Sequence, residues 1–93
     1  MKRATKEQRE HMHRVAELGC IICGRQAELH HPLRGKGLGL RASHWDVIPL
    51  CIEHHRGDTS VHAGIKTFEA RFGTEGELLD KVRSKLSMYV FKD

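Results

Sequence analysis

The sequence lacks an even set of cysteines, has no long apolar run, and carries nothing typical of an export signal. There are three cysteines in 93 residues. A disulfide framework would strand one of them, whereas a metal site taking all three with one histidine leaves none over. The odd count therefore favours metal, and with it a reducing compartment. No apolar stretch approaches a membrane span, and the charged N-terminus lacks the apolar core of a signal peptide, so a cytoplasmic protein without membrane contact is expected. Internal repeats and low-complexity segments are missing too. The glycine-rich stretch lacks the Gly-Lys-Ser/Thr ending of a nucleotide-phosphate loop. The length allows one domain, residues 1–93. A chain this short buries a modest fraction of its surface, which makes a metal staple an expected supplement.

What is present is positive charge and histidine. The formal charge is +4, and 8 of the 93 residues are histidine. The sequence pI of about 9.2 makes a polyanion the favoured partner. Histidine is the commonest metal ligand and a frequent general base.

In chain order, Thr5 and Gln8 form a capping box. Met12, Val15, Ala16 and Leu18 make a narrow apolar stripe, which predicts a helix over residues 6–18 stopped by Gly19. His11 and His13 on that helix read as solvated. Cys20 and Cys23 form a knuckle, with Gly24 permitting the tight turn behind it. Residues 27–31 read as a short strand ended by Pro32. Residues 34–43 are a glycine-rich cationic loop in which Arg34, Lys36 and Arg41 suit a DNA backbone. Residues 45–50 read as a second strand, with Val47, Ile48 and Leu50 entering the core. A short helix over 51–56 is interrupted at 57–60. Ile65, Phe68 and Phe72 mark a further helix ending at Gly73. Thr74 and Glu77 form another capping box, opening a helix over about 75–91 along Leu78, Leu79, Val82, Leu86, Tyr89 and Val90. The fold class is α+β.

Two metal sites follow from spacing. Cys20 and Cys23 with Cys51 and His54 give the closed tetrahedral N/S set of a structural zinc. His54 and His55 are neighbours on a helix, so their side chains diverge by about 100°. If His54 completes the zinc, His55 points elsewhere. His30 and His31, neighbours on a strand, also face opposite ways. One of them can bind a second metal beside His55 while the other approaches a substrate. Along a straight helix His62 would lie about 10 Å from His55, too far to share an ion. A bend at 57–60 would bring it back, and Asp58 is the alternative third ligand if no bend forms.

The run of Cys-x2-Cys, His30-His31-Pro32, Asp46, Ile48-Pro49-Leu50-Cys51, His54-His55-Arg56-Gly57 and Val61-His62 resembles the HNH endonucleases of the ββα-metal superfamily. Within that group it looks most like the phage recombination-enhancement nucleases and their small prophage relatives. The resemblance covers about residues 18–73. It implies a zinc-stapled two-stranded hairpin and a helix gripping a catalytic divalent metal (magnesium, manganese or zinc), flanked by an N-terminal and a C-terminal helix. It further implies that His30, His55 and His62 ligate this metal and that His31 is the general base. Asp46 stands where the family has asparagine. An ionised Asp accepts but cannot donate, and it is expected to orient His31.

The reading that the sequence favours is a metal-dependent DNA endonuclease of phage or prophage DNA recombination and processing, nicking or weakly sequence-specific. It would act as a monomer or homodimer, with a recombinase or another phage DNA-processing protein as a candidate partner. A zinc-stabilised DNA-binding module with a decayed nuclease site is the alternative, and a purely structural zinc domain the third. The surplus histidines separate them, because the latter two have no use for His30, His31, His55 and His62 together. If the cationic loop contacts phosphates, replacing Arg34 and Lys36 together by Ala should weaken DNA binding without sequence bias. It should also flatten the slope of log affinity against log salt by about one to two counterions, and an unchanged slope would remove the loop from the interface.

Overall fold

In the computed structural model, described for residues 3–32 and 43–90, the chain is built from four helices and one two-stranded sheet. The elements run α1 (Lys6–Glu17), β1 (Glu28–His30), β2 (Ile48–Leu50), α2 (Ile52–Arg56), α3 (Ile65–Phe72) and α4 (Glu75–Val90). This is the expected α+β class. The cationic loop with Arg34, Lys36 and Arg41 lies outside the described residues, as do the side chains of Tyr89 and Val90. No helix among the described residues is long and apolar enough to cross a membrane.

Both capping boxes form. At α1 the Thr5 hydroxyl accepts from the Gln8 amide at 3.1 Å, and the Gln8 side chain accepts from the Thr5 amide at 2.9 Å. Thr74 and Glu77 repeat the arrangement ahead of α4. Each box satisfies two of the backbone donors that a helix start leaves open.

The strands are shorter than the pattern predicts. They pair antiparallel as Glu28↔Leu50, Leu29↔Pro49 and His30↔Ile48. Pro49 sits in mid-strand without weakening the ladder. Its carbonyl points outward and accepts the Ile21 amide at 2.9 Å, so its missing N–H falls on that same outer side. Trp45 and Asp46, expected in β2, lie instead in a turn made by Ser43. The Ser43 hydroxyl accepts the Trp45 amide at 3.0 Å, and the Ser43 carbonyl accepts the Asp46 amide at 3.0 Å. A serine bonding its neighbours' backbone competes with the ladder and delays the strand.

The core gathers Val15 of α1, Val47, Ile48 and Leu50 around β2, Val61, Phe68 of α3, and Leu78 and Val82 of α4. Helices α1 and α4 pack on β2 and on each other, while α2 touches both strands. His11 is not the solvated residue expected: its Nε2–H donates to the Trp45 carbonyl at 3.0 Å.

The turn after α2 is closed by Glu53, whose carboxylate accepts from the Thr59 amide at 2.9 Å and the Thr59 hydroxyl at 2.8 Å. The Val61 amide then returns to the His54 carbonyl at 3.0 Å. Gly57 lies inside this clamp. A Cβ there would sit 2.6 Å from the Glu53 Oε1 and 2.8 Å from the Glu53 carbonyl oxygen, closer than atoms tolerate. Gly57→Ala should therefore push the clamp open. The expected cost is about 1–3 kcal/mol, read as a lower thermal midpoint, and an unchanged midpoint would show that the turn relaxes freely.

Candidate metal centres

The knuckle is shaped by its backbone. The Cys20 amide donates to the Arg25 carbonyl at 2.7 Å, and the Gly24 amide to the Cys20 carbonyl at 2.8 Å. Gly24 has φ +81°, the left-handed region that favours glycine. Cys51 caps the N-terminal end of α2, and His54 follows one turn later. The ligand atoms of Cys20, Cys23, Cys51 and His54 all lie within 4.8 Å of one another, so the four can hold a metal ion.

The separations match the donor set. Cys23 Sγ and Cys51 Sγ are 3.7 Å apart, too far for a disulfide. They are close to the edge, about 3.8 Å, of a tetrahedron with zinc–sulfur bonds near 2.3 Å. His54 Nδ1 stands 3.2 Å from Cys51 Sγ and 3.6 Å from Cys20 Sγ. Electrostatics prepares the exposed member of the set. The Arg25 guanidinium, its Nε 3.3 Å from the sulfur, lowers the Cys23 thiol to about 6, so that it is largely thiolate at neutral pH. Burial pushes the Cys51 thiol up, a penalty that a bound cation would reverse.

A second group is formed by His30, His55 and His62, whose ligand atoms also lie within 4.8 Å of one another. The His30 ring stands edge to face with His55 and His62, at centroid distances of 5.2 Å and 5.1 Å, and the His55 and His62 rings are tilted at 4.9 Å. His54 and His55 serve different clusters, as adjacent positions on a helix require. His62 joins because α2 is only five residues long and the Glu53 clamp turns the chain back. Asp58 is exposed and outside the group.

Two carboxylates that sequence reasoning missed stand behind these rings. His30 Nε2–H donates to Glu75 Oε2 at 2.6 Å, with side chains only 1% and 4% exposed. The other ring nitrogen of His30, Nδ1, is buried without a hydrogen-bond partner. Such an orphan costs about 1–3 kcal/mol unless something accepts its lone pair, and a cation among the three rings would. His55 Nδ1–H donates to Glu28 Oε1 at 2.6 Å, and Arg56 holds the same carboxylate through Nε at 2.9 Å and Nη2 at 3.0 Å. Arg56 first, then His55, keeps the Glu28 carboxyl below its ordinary range. A carboxylate behind the His30 and His55 imidazoles fixes the tautomer and raises ligand basicity, the usual backing of metal-bound histidine. Desolvation, with His30 and His55 alongside, pushes the His62 pKa down, so its neutral, ligating form persists to lower pH. Glu28 was legible in principle, two residues before His30 and therefore on the same strand face. Glu75 was not, since nothing in the periodicity of α4 marks a buried carboxylate at its first residue.

His31 lies apart from this triad. Its Nε2 is 3.2 Å from His44 Nδ1, a neighbour not anticipated. Asp46, expected to orient His31, has its Oδ1 2.8 Å from Arg83 Nη2 of α4. The turn at Ser43 carries the carboxylate to the helix and presents the adjacent His44 to His31.

The purified chain should contain about one tightly held zinc on Cys20, Cys23, Cys51 and His54. Its removal by a strong chelator should abolish the native circular dichroism, because binding energy at such a site is largely folding energy. A native spectrum after verified zinc loss would overturn the assignment.

A curated relative from Escherichia coli (strain K12), "Uncharacterized protein YdfU", is 35% identical over 63 residues. The match spans 64% of this chain but only 17% of that protein, so the chain corresponds to a small part of its relative. A family model described as "Protein of unknown function (DUF968)" matches residues 1–88, and the chain belongs to that family.

Proposed function

We propose that this chain is a metal-dependent DNA endonuclease of the HNH type, its ββα-metal unit formed by β1, β2 and α2. The observation that carries the reading is the His30, His55 and His62 cluster, with a buried, unpartnered Nδ1 on His30 and carboxylates behind two of the rings. A purely structural zinc domain needs the Cys20, Cys23, Cys51 and His54 set and has no use for a second one.

In this reading His30, through Nδ1, joins His55 and His62 in holding a divalent cation. When bound, that cation supplies the positive charge that neutralises a scissile phosphate and its leaving oxygen. Glu75 and Glu28 hold the ligand rings in orientation. His31 extends from the residue after His30, on the opposite side of the chain, and accepts the proton of the attacking water. His44 steadies its ring from 3.2 Å. The net charge of +4 favours the polyanionic substrate. Processing of phage or prophage DNA, alongside a recombinase, is the setting that the sequence resemblance suggests.

A supercoiled-plasmid assay with and without Mg²⁺ or Mn²⁺ tests the reading. The wild type should nick or linearise the plasmid only with added metal. His31→Ala should cleave about 10²–10⁴-fold more slowly yet bind the cation nearly as well. His30→Ala should lose cation affinity and be partly rescued by more metal. Binding without cleavage at any metal concentration would instead favour a DNA-binding module with a decayed site.

A further inference from the structure

Trp45 is the sole tryptophan of the chain and is 47% exposed, unlike the buried Phe68. Scattered exposed apolar residues are ordinary, but this one is unusually well fixed. Its amide donates to the Ser43 hydroxyl at 3.0 Å. Its carbonyl accepts from His11 of α1 at 3.0 Å, and the His11 ring leans on the indole at a centroid distance of 5.2 Å. The next residue, Asp46, is ion-paired with Arg83 of α4 at 2.8 Å. These bonds fix the backbone that carries Trp45, and the His11 ring supports the half-exposed indole itself. The preceding residue, His44, meets the proposed base His31 with ring centroids 5.2 Å apart.

We infer that Trp45 is a stacking platform for an unpaired nucleobase next to the scissile phosphate, so that the substrate is single-stranded or locally opened DNA. The inference rests on the nuclease reading for the identity of the polymer. An indole offers a nucleobase a flat surface that any base can cover, and pre-ordering it spares much of the entropy cost of binding. Bases within an intact duplex are already stacked on each other and have no free face to give. Positive net charge supplies the attraction to the backbone, and the indole adds contact only where a base is exposed.

With one tryptophan, intrinsic fluorescence reports on this residue alone. The zinc-loaded protein, without added Mg²⁺ or Mn²⁺, is titrated with a thymidine oligonucleotide and with a mixed-sequence duplex of equal length. Binding is followed in parallel by anisotropy of labelled DNA. The single strand should quench the fluorescence saturably, and the duplex should bind with little quenching. Trp45→Ala should lose about tenfold to hundredfold in single-strand affinity while its duplex affinity changes less than about twofold. Trp45→Phe, which keeps a ring, should retain most of the affinity, and circular dichroism should confirm that both variants fold. Single-strand binding without quenching, or an equal loss in the Ala and Phe variants with native spectra, would overturn the platform. Quenching that persists when no DNA is cleaved under any metal would support the platform and count against the nuclease reading alone.

Discussion

Three thiols and one imidazole brought within 4.8 Å of one another form the constraint on which the site depends. Three sulfurs crowded together with no cation would repel as thiolates or waste their lone pairs as thiols. The opposed behaviour of Cys23, drawn toward thiolate by Arg25, and Cys51, pushed toward thiol by burial, expresses that tension. A cation among them would relieve it. The same cluster fixes the start of α2 against the knuckle, and the knuckle is bonded to β2 through Ile21 and Pro49. Once His54 is committed inward, helical geometry leaves one direction for His55, toward β1.

From that anchor the second cluster is assembled by short-range devices. Glu53 folds the chain over Gly57, which returns His62 toward His55. β1 ends on the buried His30, and His31, just past the strand, meets His44 rather than the cluster. The buried carboxyl group of Glu75 and the half-buried one of Glu28 stand directly behind two of the rings. Such backing is the usual support of metal-bound imidazole.

Much of this was legible from residue spacing. The Cys-x2-Cys and Cys-x2-His pairs announce their own geometry, and the two Thr-led capping boxes mark helix starts that form as read. The divergence of neighbouring histidines on a strand and on a helix follows from periodicity alone. What escaped was contact between residues distant in the chain. Glu75 meets His30 across 45 positions, and His44 meets His31 across a loop whose path the sequence does not encode locally. The partner of Asp46 on α4 escaped as well, because a serine-built turn replaces the beginning of the strand and sets its carboxylate against Arg83. His11 was misjudged because solvent exposure was inferred from helix position, and tertiary packing supplied Trp45 as a partner.

The bond between His30 and Glu75 has a consequence for the order in which the molecule is made. β1 lies in the first third of the chain, while Glu75 opens its last helix. During synthesis the four Cys and His residues of the first cluster are all available once α2 has emerged. His30 then remains without its buried carboxylate until α4 is made and packed. The first cluster can therefore close early, while the second acquires its buried carboxylate only once α4 has packed.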